Sequence, residues 1–284
     1  MHEAEWIDAE PHPVDAREKL AFIDQIRRRE FDEAIVFTSF HQSPLPLALL
    51  LRMAGVPRIG AISVDYPGSL LDVRHNVDDD IHEVERALSL VRVMGYELPD
   101  SDDARLMMRG LPEHTDLPFP QYVVVHPGAT VSARAWFPER NSHLVEELCN
   151  EGVNVIVTGA SDETALTEYV AGGRALDLGG KTTFNEFAAI VRDARAIICG
   201  NTAAAHVASA VGTPVVSIFS PTIPAVRFRP WMVPYALLGD QNIACAGCRA
   251  KACPIPGQPC LDVVHVEDVL NAVRRFAPSP AEVA

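Results

Sequence analysis

From Tyr122 onward, short apolar runs alternate with amphipathic stretches of about ten residues, and that alternation leaves few architectures open. Tyr122 to His126 is an apolar run closed by Pro127-Gly128. Glu139 to Asn150 follows with helical spacing, places Leu144, Val145 and Leu148 on one face, and ends at Gly152. Further strands are predicted at Val153–Thr158, Ala175–Leu178, Ala196–Cys199, Pro214–Phe219 and Tyr235–Leu238. Helices are predicted at Asp162–Val170, Phe184–Arg192, Thr202–Val211 and Val266–Phe276. Such a pattern predicts a parallel α/β sheet covered on both faces. Ligands of such sheets sit beyond the carboxyl ends of the strands, which selects the loops after His126, Thr158, Cys199 and Phe219.

The first half reads less completely. Helices are predicted at Asp15–Arg29, Leu45–Ala54 and Ile81–Met94, with only two strands, Ala34–Thr38 and Arg58–Ala61. Residues 1–14 read as a connector, and the Asp- and Pro-rich stretch 100–120 as an interdomain linker with a helix at Ala104–Arg109. The expected division is a partial N-terminal domain over 1–115, a second domain over 116–265, and a closing helix and tail over 266–284.

Charge narrows the partners. The chain carries 24 basic and 38 acidic side chains, a net −14, which disfavours nucleic acid as a ligand. The balance is uneven: residues 1–120 hold 23 acidic and 12 basic groups, leaving 15 and 12 in residues 121–284. An anionic ligand is therefore expected in the second half. No apolar run reaches the ~18 residues of a membrane span. Met1-His2-Glu3 does not open a secretory signal, so a cytoplasmic location is expected.

Four motifs carry chemistry. In His126-Pro-Gly-Ala-Thr130, Gly128 lets the backbone approach a ligand, Thr130 and Ser132 offer hydroxyls, and Arg134 offers a fork for phosphate oxygens. In Gly200-Asn-Thr-Ala-Ala-Ala-His206 a strand ends and a helix begins: Asn201 can cap it, its free amides suit an anion, and His206 lies one turn inside. Thr158-Gly-Ala-Ser-Asp-Glu163 offers Asp162 or Glu163 to ribose hydroxyls and lacks the GxGxxG fingerprint of nicotinamide folds. Cys245, Cys248, Cys253 and Cys260 fall within 16 residues; structural zinc, two disulfides and free thiols are all open readings. Cys149 and Cys199 read as core residues. In the first half, Phe40-His41-Gln42-Ser43 follows a strand end, and His82, Glu83 and Arg86 read first as a surface network.

As an ordered set these segments resemble glycosyltransferase family nine, the ADP-heptose:lipopolysaccharide heptosyltransferases and their relatives. The resemblance rests on His126-Pro-Gly-Ala, Arg134-Ala-Trp136, Gly200-Asn-Thr-x-x-x-His206, Val211-Gly-Thr-Pro-Val-Val-Ser-Ile-Phe-Ser-Pro-Thr222 and His82-Glu-Val-Glu-Arg86, over most of residues 30–276. It implies the GT-B architecture: two Rossmann-like domains with parallel sheets, the second binding the donor. It implies inverting transfer of a heptose-like sugar from an ADP-heptose-like nucleotide-diphosphate donor to a cell-envelope glycan or glycolipid, with no cofactor required. Peripheral contact with the inner face of the membrane would follow. The family's phosphate-binding lysine falls on Arg134, its Asp-Thr-Gly on Asn201-Thr202-Ala203, its histidine on His206, and its loop hydroxyl on Thr130. Glu163 and Thr182 fall where nucleotide contacts are expected. The family's opening strand, Gly-Asp loop and helix find no match in residues 1–30, so the N-terminal domain is expected to be incomplete and the general base unassigned. His41 and Asp72 are the residues within reach of that role. A non-catalytic nucleotide-sugar-binding protein and a GT-B-type epimerase are the competing readings.

Overall fold

A computed structural model describes residues 13–40, 42–78 and 80–278. Its chain divides between Ser101 and Asp102 into two units.

The first unit opens with α1 (Ala16–Arg27), which starts where Asp15 accepts hydrogen bonds from the amides of Arg17 and Glu18. It continues through β1 (Glu33–Val36), α2 (Leu45–Met53), β2 (Arg58–Ile62), β3 (Val73–His75) and α3 (Glu83–Val93). The three strands form a parallel sheet in the order β1-β2-β3. Ile59, Ala61, Val36, Ala48 and Leu51 form its core. The sequence pattern missed β3, because three residues with an arginine and a histidine make no apolar run. Its register, Gly60↔Val73, is fixed beside Asp72, whose carboxylate accepts from the Ile59 amide at 2.7 Å and pairs with Arg52.

α3 departs from its expected form in a telling way. His82 and Arg86 are buried, not part of a surface network. The His82 imidazole caps the helix by accepting from the Val84 amide, and Glu85 closes the box on the His82 amide. Arg86 reaches across to donate to the Thr38 carbonyl at 2.5 Å.

The second unit holds β4 (Val123–His126), α4 (Pro138–Asn150), β5 (Val155–Val157), α5 (Thr164–Ala171), β6 (Leu176–Asp177), α6 (Phe184–Asp193), β7 (Ile197–Gly200), α7 (Ala203–Val211), β8 (Val215–Ile218), α8 (Ala225–Phe228), β9 (Tyr235–Leu238), α9 (Pro259–Asp262) and α10 (Val266–Phe276). Its strands pair in the order β6-β5-β4-β7-β8-β9, all parallel. Alternation along β4 sends Val123 and Val125 to one face, against Leu144, Leu148, Val269 and Val273. Val124 goes to the other, against Phe187, Ile190, Ala204 and Ala208. Each fully buried Leu or Val of this kind contributes about 1.5–3 kcal/mol by leaving water.

The helix expected at Ala104–Arg109 is absent. Asp102 and Asp103 bond the amides of Ala104 and Arg105, and Ala104 adopts a φ of 64°. Such local side-chain bonds compete with helix formation. The stretch instead lies along the second unit: Trp231 Nε1 donates to the Ala104 carbonyl at 2.8 Å, and Met108, Leu111, Leu117 and Phe119 pack on the core.

Candidate functional site

The central strand β4 has β5 on one side and β7 on the other, so the chain leaves it in both directions. Beyond the carboxyl ends of these strands, at the point where strand order reverses, a doubly wound sheet opens its crevice. A cavity of about 420 Å³ lies there, lined by His126, Gly128 and Thr130 after β4, Glu163 after β5, and Thr202 to Ala204 at the start of α7. That volume suits a small organic ligand.

Two glycines show how tightly its walls are fitted. A Cβ on Gly128 would stand 2.0 Å from Glu163 Oε1, so the Glu163 carboxylate lies flat against the first loop. That carboxylate is held by the Ala160 amide at 2.8 Å. A Cβ on Gly200 would stand 2.7 Å from the carbonyl oxygen of Arg134, so the 3₁₀ turn Ser132–Arg134 rests on the end of β7. His126 bonds the Thr158 hydroxyl through Nδ1 at 3.0 Å. Burial holds the imidazole below its ordinary pKa, partly opposed by the Glu163 charge, so His126 is neutral at pH 7.

Several buried polar atoms near these strand ends have no hydrogen-bond partner among the described residues: Arg134 Nε, Asn201 Oδ1 and Thr202 Oγ1. Burial lowers the Arg134 pKa, yet a guanidinium stays charged at neutral pH. An unsatisfied buried group costs about 1–3 kcal/mol, and three of them on two converging loops point to a ligand that satisfies them. The expected Asn201 cap is not formed. Thr202 is the N-cap of α7, it makes no side-chain cap bond, and Asn201 is buried beneath the helix end.

The remaining residues singled out by sequence fall elsewhere. His206 packs edge-on to Phe228 at 6.3 Å between ring centroids, outside the cavity lining. Thr182 is half-buried in the turn before α6, next to the Thr183 that caps that helix. Asp72 precedes β3, at the amino end of its sheet; the Ile59 amide and Arg52 hold it below its ordinary pKa, which suits bracing and not proton abstraction. His41 lies outside the described residues. Cys199 is a core thiol, pushed up to about 12 by burial. Sequence reasoning did not single out Thr158 as the partner of His126. Its only signal was a hydroxyl at the end of a neighbouring strand.

Cys245, Cys248, Cys253 and Cys260 are free thiols that line one small cavity together with Ser220, Thr222 and Ala133. No three His, Cys, Asp or Glu side chains among the described residues already converge as a metal site would require.

Comparison with known proteins follows the same lines. The family model described as glycosyltransferase family 9 (heptosyltransferase) matches residues 19–258. Lipopolysaccharide heptosyltransferase 3 of Escherichia coli is 28% identical over 219 residues, covering 70% of this chain and 61% of its own length. This chain therefore spans about three-fifths of that relative. Among solved structures, the family 9 glycosyl transferase of Veillonella parvula superposes with a TM-score of 0.73 at 15% identity, over 93% of this chain and 80% of its own. An Escherichia coli heptosyltransferase solved with ADP gives 0.67 at 17% identity, over 96% and 80%. These likenesses show an α/β, GT-B fold. No helix among the described residues is long and apolar enough to cross a membrane.

Proposed function

Because the chain belongs to glycosyltransferase family 9, we propose that it transfers a heptose-like sugar from a nucleotide-diphosphate donor to a glycan or glycolipid acceptor of lipopolysaccharide biosynthesis. The observation that carries the donor half of this reading is the cavity at the ends of β4, β5 and β7, flanked by three partnerless buried polar atoms, one of them on the half-buried guanidinium of Arg134. ADP accompanies one of the related structures, so an ADP-linked sugar is the first donor to consider.

In this reading the diphosphate lies between the Thr130 loop and the amino end of α7. Inversion at the anomeric carbon needs the leaving diphosphate stabilised as its bond to the sugar breaks. Arg134 supplies the cation, Thr130 and Thr202 supply hydroxyls, and the first amides of α7 supply a dipole end aimed at negative charge. Glu163 takes ribose hydroxyls from the opposite wall. Charge stabilisation by fixed amides and one guanidinium requires no cofactor. The acceptor hydroxyl must also lose a proton, and His41 is the first residue to test for that role. The work is done at the cytoplasmic side, with peripheral contact to the inner membrane where a glycolipid acceptor sits.

Calorimetry of the full chain with ADP, GDP and UDP tests the donor site. Arg134→Ala should weaken binding of the preferred nucleotide by about 1.5–3 kcal/mol, the worth of a hydrogen bond to a charged group. Unchanged affinity would remove Arg134 and this cavity from the proposal.

A further inference from the structure

The stretch from Gly239 to Gln258 connects β9 to α9 without helix or strand. Loops longer than about 12–15 residues are uncommon in a compact fold unless function or a staple holds them. No residue from Asn242 to Gly257 is buried, so this one has no apolar core of its own. What it does have is three cysteines that, with the buried Cys260 of α9, face a single cavity with about 20 Å³ of free room, enough for one water-sized body.

We infer that Cys245, Cys248, Cys253 and Cys260 close around one soft divalent metal ion, zinc by the chemistry of the donors, and that the ion braces the segment bearing Arg134. Four sulfur ligands in a tetrahedron select zinc or iron over hard cations. Each thiol turns about its Cα–Cβ bond, releases its proton to solvent and forms one metal–sulfur bond. The four thiolates and a divalent ion leave a charge of −2, which Arg249 and Lys251 of the same loop offset. The bracing follows from the loop's anchors. The Lys251 carbonyl accepts from the Ala133 amide at 3.0 Å and from the Ser132 hydroxyl at 3.3 Å, while Gln258 donates to the Ala133 carbonyl at 2.8 Å. Ser132 and Ala133 belong to the same 3₁₀ turn as Arg134. On the other side, Gly247 and Arg249 donate to the carbonyls of Pro221 and Thr222. A metal that fixes the loop thereby fixes both segments.

The metal reading stands without the transferase reading, and its test needs no turnover. The full chain, purified under reductant without chelator, should carry about one equivalent of zinc or iron, identified by elemental analysis. After chelation, cobalt(II) titration should give the charge-transfer and ligand-field bands of tetrahedral thiolate cobalt, saturating at one equivalent. Cys248→Ser changes an exposed side chain and should lower cobalt affinity at least tenfold. Chelation should also speed amide hydrogen exchange in 242–257 and in 131–135. Well under half an equivalent of metal with no cobalt–thiolate band overturns the site, as does recovery of the cysteines in two disulfides. Metal binding with exchange in 131–135 unchanged overturns the bracing.

Discussion

A single methyl group at Gly200 separates packing from ligand binding. The φ of Gly200 is not in the left-handed region, so alanine suffers no conformational penalty there. The obstacle is contact: the new Cβ would stand 2.7 Å from the Arg134 carbonyl oxygen. An ordinary contact begins at 3.4 Å, so the 3₁₀ turn must retreat by about 0.7 Å, and backbone cannot swing aside as a side chain can. Overpacking of this kind costs about 1–3 kcal/mol, offset by about 0.4–1 kcal/mol from the stiffer unfolded chain. The net expectation is a loss of up to about 2.6 kcal/mol in stability. Nucleotide affinity should fall at least fivefold, about 1 kcal/mol, because the displaced turn carries Arg134. Gly212→Ala is the matched control. It has a φ of 86° with nothing within 4 Å of the new Cβ, so it strains the end of α7 and leaves the cavity alone. Denaturant melts and calorimetry with ADP read both quantities. If Gly200→Ala destabilises the chain and yet binds nucleotide as tightly as Gly212→Ala does, the turn does not position the phosphate site and the reasoning fails.

Asp72→Asn should destabilise the first unit at neutral pH. The Asp72 pKa is lowered from 3.8 by the Ile59 amide and then Arg52, so its contribution is present above the unfolded pKa and disappears as pH falls through the lower folded one. The gap between variant and parent in a denaturant series should therefore close below about pH 4; a gap independent of pH would refute a charge-based role. His82→Ala removes a helix cap and should lower stability by about 0.5–2 kcal/mol in a thermal melt, and His82→Asn should recover part of it; if Asn is no better than Ala, the cap is not what the imidazole provides.

Most of the second unit was legible because its strands are buried on both faces and its helices carry one apolar stripe each. Leu144, Val145 and Leu148 announce α4 in that way, and all three are buried. The short elements were not legible. β3 is held by its register beside Asp72 and has no periodicity to display, and the four-residue helices α8 and α9 span barely one turn. Gly128 was singled out as a place of close approach, and a Cβ there would meet the Glu163 carboxylate at 2.0 Å. Side-chain contacts across elements could not be read. The pressing of Glu163 onto Gly128, the Thr158 partner of His126 and the burial of His82 and Arg86 all depend on segments 30 to 50 positions apart, or on which way a helix faces. For His206 the motif gave a position and not a contact: its ring packs edge-on to Phe228.

The central place of β4 matters while the chain is being made. Val125 pairs with Val157 and His126 with Cys199, so the two neighbours of β4 emerge 32 and 73 residues after it (157 − 125 and 199 − 126). At about 5–20 residues per second, the β7 flank waits roughly 4–15 s for its partner. During that interval Val123, Val124 and Val125, all fully buried in the finished fold, lie along an unpaired strand edge. The first unit meets no such delay, since its whole sheet lies between Glu33 and His75. Aggregation of nascent chains should therefore concentrate in products ending between β5 and β7. A nucleotide bound as proposed would stabilise the completed second unit by mass action and could do nothing for them, because the α7 wall of the cavity, Thr202 to Ala204, has yet to be synthesised.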